Sequence, residues 1–133
     1  MDIHIDTDSD EPVYEQIVRQ VRLGVQSGAL RPGMPLPPIR QLAHDLALNP
    51  NTVAKAYKLL ENDLVIRAAG PKGTFINGDA ADHVENSNRK DAASLMSGLM
   101  ATLVHKGLTV AQLQAAFQEA LGQLESQPGK GAS

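Results

Sequence analysis

Asn51, Lys55 and Lys58 stand at i, i+4 and i+7, with Thr52 alongside. On a helix that spacing puts an amide and two ammonium groups on one face, with a hydroxyl at its edge. Such groups hydrogen-bond base edges and neutralise phosphates. Arg40, upstream, adds a guanidinium suited to a phosphate or a guanine edge. Downstream, Lys72, Gly73 and Thr74 offer a cation beside a glycine where a backbone can approach closely. Taken alone, these residues equally fit solvated surface, so the elements that carry them decide. No catalytic grouping competes with them. His4, His44, His83 and His105 are scattered without ligand spacing, and no Ser/His/Asp set, phosphate-cradling glycine loop or carboxylate pair occurs. The sequence therefore predicts no enzyme, no metal site and no cofactor.

The helix bearing Asn51 has a well-marked start. Asn49 suits the N-cap, its side chain accepting an orphaned backbone N–H. Pro50 falls at the first helical position, where its missing N–H costs nothing. Val53, Ala56, Tyr57 and Leu60 then recur on one apolar face. Upstream, Pro37 and Pro38 open a shorter helix running to Leu46, with Ile39, Leu42, Ala43 and Leu46 as its buried side. Only Ala47 to Asn49 separate the two, and a connection that short forces a sharp crossing, as in a helix-turn-helix. Arg40 lies in the first turn, away from the apolar residues. Val65-Ile66-Arg67 and Thr74-Phe75-Ile76 are β-rich runs around Gly70-Pro71-Lys72-Gly73, which reads as a hairpin loop. The pattern predicts a winged helix-turn-helix, with the helix pair at about 38–61 and the wing at about 65–77.

Pro12-Val13-Tyr14-Glu15-Gln16-Ile17, the stretch GALRPGMPLP from Gly28 to Pro37, Asn49-Pro50-Asn51-Thr52-Val53, Ala56-Tyr57, Leu60-Glu61 and Gly73-Thr74-Phe75 together resemble the GntR family of bacterial transcription regulators. The resemblance covers roughly residues 9 to 78, in order and without gaps. It implies that Arg40, Asn51, Thr52 and the wing around Lys72 and Gly73 contact operator DNA. Pro38 stands where the family usually has a serine. Ala47 and Leu64 replace glycines, and a left-handed Ala costs on the order of 1 kcal/mol. Ala69 and Gly70 occupy positions of common wing arginines, which leaves Lys72 as the tip cation, and Ala54 sits where many members are basic.

Total charge is −3, but its distribution is uneven. Residues 12–78 carry eight Lys/Arg against four Asp/Glu, net +4, and the flanks four against eleven, net −7. A basic module between acidic ends fits a protein that presents one face to DNA. The absence of cysteine fits a reducing cytoplasm. The acidic N-terminus does not read as a secretory signal, and no apolar run approaches the ~20 residues of a membrane span.

At 133 residues the chain has room for one medium or two small domains. Met1 to Ser9 is acidic, with Ile3 and Ile5 alternating, and reads as a weakly held edge strand or a disordered lead-in. Asp10 and Glu11 precede Pro12, a helix start, and the helix runs to about Ser27, burying Tyr14, Ile17, Val18, Val21 and Val25. Gly28 ends it, and Pro32-Gly33 turns the chain. Residues 77–91 read either as a linker or as the exposed first turns of a helix. From Ala92, Leu95, Met96, Leu99, Met100, Leu103 and Val104 form a broad stripe ending near Gly107. Thr109 can cap a second helix carrying Val110, Leu113, Phe117, Leu121 and Leu124. Residues 128–133 read as a frayed tail.

Two such helices cannot enclose a core alone. A symmetric dimer, with two hairpins forming a four-helix arrangement, is the simplest solution, and Leu95, Leu99, Leu103, Leu113, Phe117 and Leu121 are its expected interface. The alternative folds both helices back onto the same chain. The expected fold is mainly α with a small β-wing: a winged helix-turn-helix over 10–78, then a helical dimerisation region over 79–127. About 55 residues leave no evident room for a ligand cavity, so no small-molecule effector is required; the short helical tail resembles the YtrA-like subfamily. The expected activity is that of a homodimeric, cytoplasmic regulator of double-stranded operator DNA, repressing by promoter occlusion or activating from another site. The competing reading is a winged-helix protein-interaction module.

Overall fold

The computed structural model describes residues 1–126. Its elements are α1 (Val13–Ser27), β1 (Pro35–Leu36), α2 (Ile39–Leu46), α3 (Pro50–Asn62), β2 (Ile66–Ala68), a 3-10 turn (Gly70–Lys72), β3 (Thr74–Ile76), α4 (Ala80–His105) and α5 (Val110–Glu125). The chain divides into two compact units, residues 1–89 and the part from Lys90 onward. The tail expected over 128–133 lies outside the described residues.

The first unit is built around three helices and a sheet. Ile17 and Val21 of α1, Leu42 and Ala43 of α2, and Val53, Ala56 and Leu60 of α3 meet in one core with Ile66 and Ile76. These are the apolar positions that the helical spacing singles out. Tyr14 and Val18, expected to be buried, are half-buried at its margin. Ala80 and Val84, from the first turns of α4, are also in this core. Of the two readings of residues 77–91, the helix is thus the one found from Ala80 on.

Two features depart from expectation. The sheet has three strands, in antiparallel order β1-β3-β2, with Pro35 and Leu36 opposite Phe75 and Thr74. Two residues rich in proline carry no periodic signal, so β1 was illegible. The N-terminal segment is not a strand, yet Ile3 is buried. Two glutamines on successive turns of α1 hold it. Gln16 accepts from the Asp6 N–H through Oε1 and donates through Nε2 to the Asp6 and Glu11 carbonyls, each at 2.9 Å. Gln20 repeats the exchange with His4, at 2.9 and 2.6 Å. Their amides stand in for a neighbouring strand, and the three hydrogen bonds of Gln16 offset the cost of burying it to 2% exposure.

α1 ends as expected at Gly28, left-handed at φ 83°, where its N–H bonds the Val25 carbonyl. Ala47 and Leu64 adopt the same left-handed conformation at φ 54° and 62°. In both cases the next N–H closes a six-residue loop, Leu48 to the Ala43 carbonyl at 2.8 Å and Val65 to the Leu60 carbonyl at 3.0 Å. The turn geometry usual for glycine is kept without glycine.

In the second unit α5 begins with a reciprocal cap. Thr109 Oγ1 accepts from the Gln112 N–H, and Gln112 Oε1 accepts from the Thr109 N–H.

Candidate nucleic-acid interface

The polar face of α3 is oriented by what lies beneath it. Val53, Ala56 and Leu60 are fully buried and Tyr57 nearly so, which fixes the rotation of the helix about its axis. Asn51, Lys55 and Lys58 are consequently exposed, and Thr52 is half-buried. The helix start is also fixed. Asn49 Oδ1 accepts from the Asn51 N–H at 2.8 Å, with Pro50 at the first helical position. Asn51 and Thr52 therefore stand in the first turn, at the positive end of the helix dipole; their N–H groups are taken by Asn49, so their side chains are what can meet an approaching phosphate.

Lys55 is engaged rather than freely extended. Its Nζ lies 3.9 Å from the centroid of the Tyr14 ring. Such a contact contributes about 0.5–1 kcal/mol at an exposed site and holds the ammonium in place. The Tyr14 hydroxyl donates to Glu15 Oε1 at 3.1 Å, and that hydrogen bond to the carboxylate pushes the phenol's pKa up. The apolar spacing of α1 predicts Tyr14 in the core. Its half-exposed ring instead borders α3, a role that spacing within α1 alone does not signal.

Arg40 is the second residue of α2 and is exposed. The buried side of α2 is Leu42 and Ala43, with Ile39 and Leu46 packed against the core. Just before this helix, the Tyr57 hydroxyl donates to the Pro37 carbonyl at 2.6 Å. Burial of Tyr57 raises its pKa well above the ordinary phenol value, so the hydroxyl stays a donor.

The wing loop is a tight 3-10 turn closed by the Ala69 N–H to the Gly73 carbonyl at 2.7 Å. Gly73 sits at φ 107°, ψ −157°, a conformation that only glycine adopts without strain. Lys72 and Gly73 are exposed, and Thr74 is half-buried where β3 begins. Arg67, on β2, faces Phe75 across the hairpin, its guanidinium carbon 5.4 Å from the ring centroid. Lys72 is the cation at the tip of the wing loop. Arg67 adds a second cation to the wing, on the exposed end of β2 beyond buried Val65 and Ile66. Arg40, the α3 face and the wing loop all belong to the first unit.

The second unit carries the six residues expected at an interface. Leu113 is buried, Leu103 and Leu121 are half-buried, and Leu95, Leu99 and Phe117 are exposed. Met96, Met100 and Val110 extend the same surface. With Leu99, Leu103, Leu113 and Phe117 these three line an apolar groove of about 590 Å³ in which Gln114 is the polar side chain; Leu95 and Leu121 lie outside its lining. Among the described residues, no helix is long and apolar enough to cross a membrane.

Residues 13–76 match the family model of bacterial regulatory proteins, gntR family. The chain is 44% identical over 78 residues to the HTH-type transcriptional repressor YtrA of Bacillus subtilis (strain 168), a match covering 59% of this chain and 60% of that repressor. The match thus spans about three fifths of that relative. It is 30% identical over 101 residues to the uncharacterized HTH-type transcriptional regulator YhcF of the same organism, over 76% of this chain and 83% of YhcF. Among solved structures, a transcriptional regulator from Oenococcus oeni superposes with a TM-score of 0.68 at 36% identity, over 88% of this chain and 97% of that one. The chain belongs to the GntR family of bacterial regulatory proteins.

Proposed function

We propose that this chain is a cytoplasmic, homodimeric transcription regulator that binds a two-fold operator and represses by covering the promoter. The observation that carries this reading is the exposed face of α3, with Asn51 and Thr52 in a capped first turn and Lys55 and Lys58 behind them. In it α3 enters the major groove, Asn51, Thr52 and Arg40 meet base edges or phosphates, and Lys55 and Lys58 neutralise phosphates. Lys72, Gly73 and Thr74 bring the wing against the adjacent backbone. The relative named as a repressor supports the sign of regulation.

The apolar groove of the second unit supports the dimeric reading. Leu95, Leu99 and Phe117 expose surface that water disfavours, and the same face of a second copy would cover it, with Leu103, Leu113 and Leu121 beneath. A two-fold protein then reads two half-sites about one helical turn apart. The reading requires no cofactor and no small-molecule effector.

The test is fluorescence anisotropy of the full chain against DNA from upstream of its own gene and against a shuffled duplex, across a salt series. Tight, salt-steep binding to the native duplex alone, saturating at two chains per duplex, is the expected result. Equal weak binding to both duplexes, or none at low salt, would sink the reading and favour a protein-interaction module.

A further inference from the structure

Arg40 and the polar face of α3 stand on different helices. Reading one half-site with both requires a fixed spacing between them, and α2 does little to fix its own start. Its N-cap is Pro38, which makes no side-chain capping bond. The first helical bond runs from the Leu42 N–H to the Pro38 carbonyl, so the Pro37 carbonyl lies outside the helical ladder. That carbonyl is taken by the Tyr57 hydroxyl, which reaches from the buried side of α3 at 2.6 Å. On the other flank, Pro35 and Leu36 pair with Phe75 and Thr74, tying the same segment to the wing. Three residues from Pro37 comes Arg40.

We infer that Tyr57 is a positioning residue for DNA recognition, its hydroxyl setting the start of α2, and with it Arg40, against the recognition helix. The inference rests on the proposed reading of Arg40 and α3 as DNA contacts. It is separable from a packing role, because phenylalanine fills the same volume. Tyr57 is 6% exposed, so its ring belongs to the core whatever the hydroxyl does. The hydroxyl adds a polar tie between α3 and the segment that opens α2, beside the apolar packing of Leu42 and Ala43 in the shared core.

The test uses the full chain and a duplex enriched from a random-sequence library by the wild-type protein. Tyr57→Phe is expected to weaken binding about fivefold, the size of one lost hydrogen bond. It should also relax base preference at the positions that Arg40→Ala relaxes, and leave those relaxed by Asn51→Ala unchanged. In an Arg40→Ala background the same substitution should cost less than about twofold, because the two residues act as one unit. Additive losses, or an unchanged base preference at the Arg40 positions, would overturn the inference. Wild-type protein in the complex supplies a check that needs no variant. The Tyr57 hydroxyl proton should stay slowly exchanging by NMR with the duplex bound, and its loss on binding would equally overturn the proposal. If the wild-type chain enriches no sequence, the DNA-binding reading itself fails and the inference with it. A wild type that selects a site while Tyr57→Phe matches it in affinity and preference defeats the inference alone.

Discussion

The two units treat the apolar faces of their helices in opposite ways. In the first, Ile17, Val21, Val53 and Leu60 are fully buried by their own chain. In the second, Leu95 is 75% exposed and Leu99 60%, although they recur on α4 at the same helical spacing. Periodicity therefore reports that a helix has an apolar face and not what covers it. A core residue answers to its own chain, and a groove residue to whatever docks there.

The sharpest way to break that comparison is to charge the groove. Leu99→Asp should dissociate the proposed dimer and abolish operator binding, since a carboxylate in an apolar interface is costly to bury. The first unit should still fold, because Leu99 has no part in its core. Sedimentation of the variant, beside a far-UV spectrum, checks both halves; a species that remains dimeric would remove Leu99 from the interface. The complementary change is Leu60→Ala, which empties a fully buried site of the first unit. It should lower stability by about 2–5 kcal/mol in denaturant titration. A loss below about 1 kcal/mol would show that the core relaxes to fill the gap.

Within the first unit, the site and its scaffold can be separated too. Arg40 is exposed, so Arg40→Ala should leave the unfolding midpoint unchanged while weakening operator binding by about 1–3 kcal/mol if it reads a base. Equal affinity of variant and wild type for every duplex tested would take Arg40 out of the interface.

What was legible in the sequence follows the same division. The start of α3 was written locally, in Asn49 and Pro50, and the structure uses both as expected. The polar residues of its exposed face were legible because Val53, Ala56, Tyr57 and Leu60 define the opposite side. The clamps between elements were not. Tyr57 bonding Pro37, Tyr14 under Lys55, and the two glutamines gripping the N-terminal segment join residues distant in sequence. None of them has a periodic or compositional signature. β1 escaped for the same reason, since its two residues become a strand only through β3.

The smallest expected effect concerns a departure that the sequence did make visible. Ala47 stands where the resemblance to the GntR family implies a turn glycine, and the turn has a left-handed backbone at φ 54°, ψ 46°. Leu48 still bonds back to Ala43, so the geometry of the helix-turn-helix outweighs local preference. A left-handed alanine carries about 1–2 kcal/mol of strain from its Cβ. Glycine removes that strain but costs roughly 0.5–1 kcal/mol in backbone entropy. Ala47 is exposed, so little apolar burial is lost with its methyl. Ala47→Gly should therefore stabilise the first unit by about 0.5–1 kcal/mol net, measured as a rise in the denaturant midpoint at unchanged slope. A midpoint that stays put or falls would mean that the turn carries no strain, and that α2 and α3 accommodate alanine there as readily as glycine.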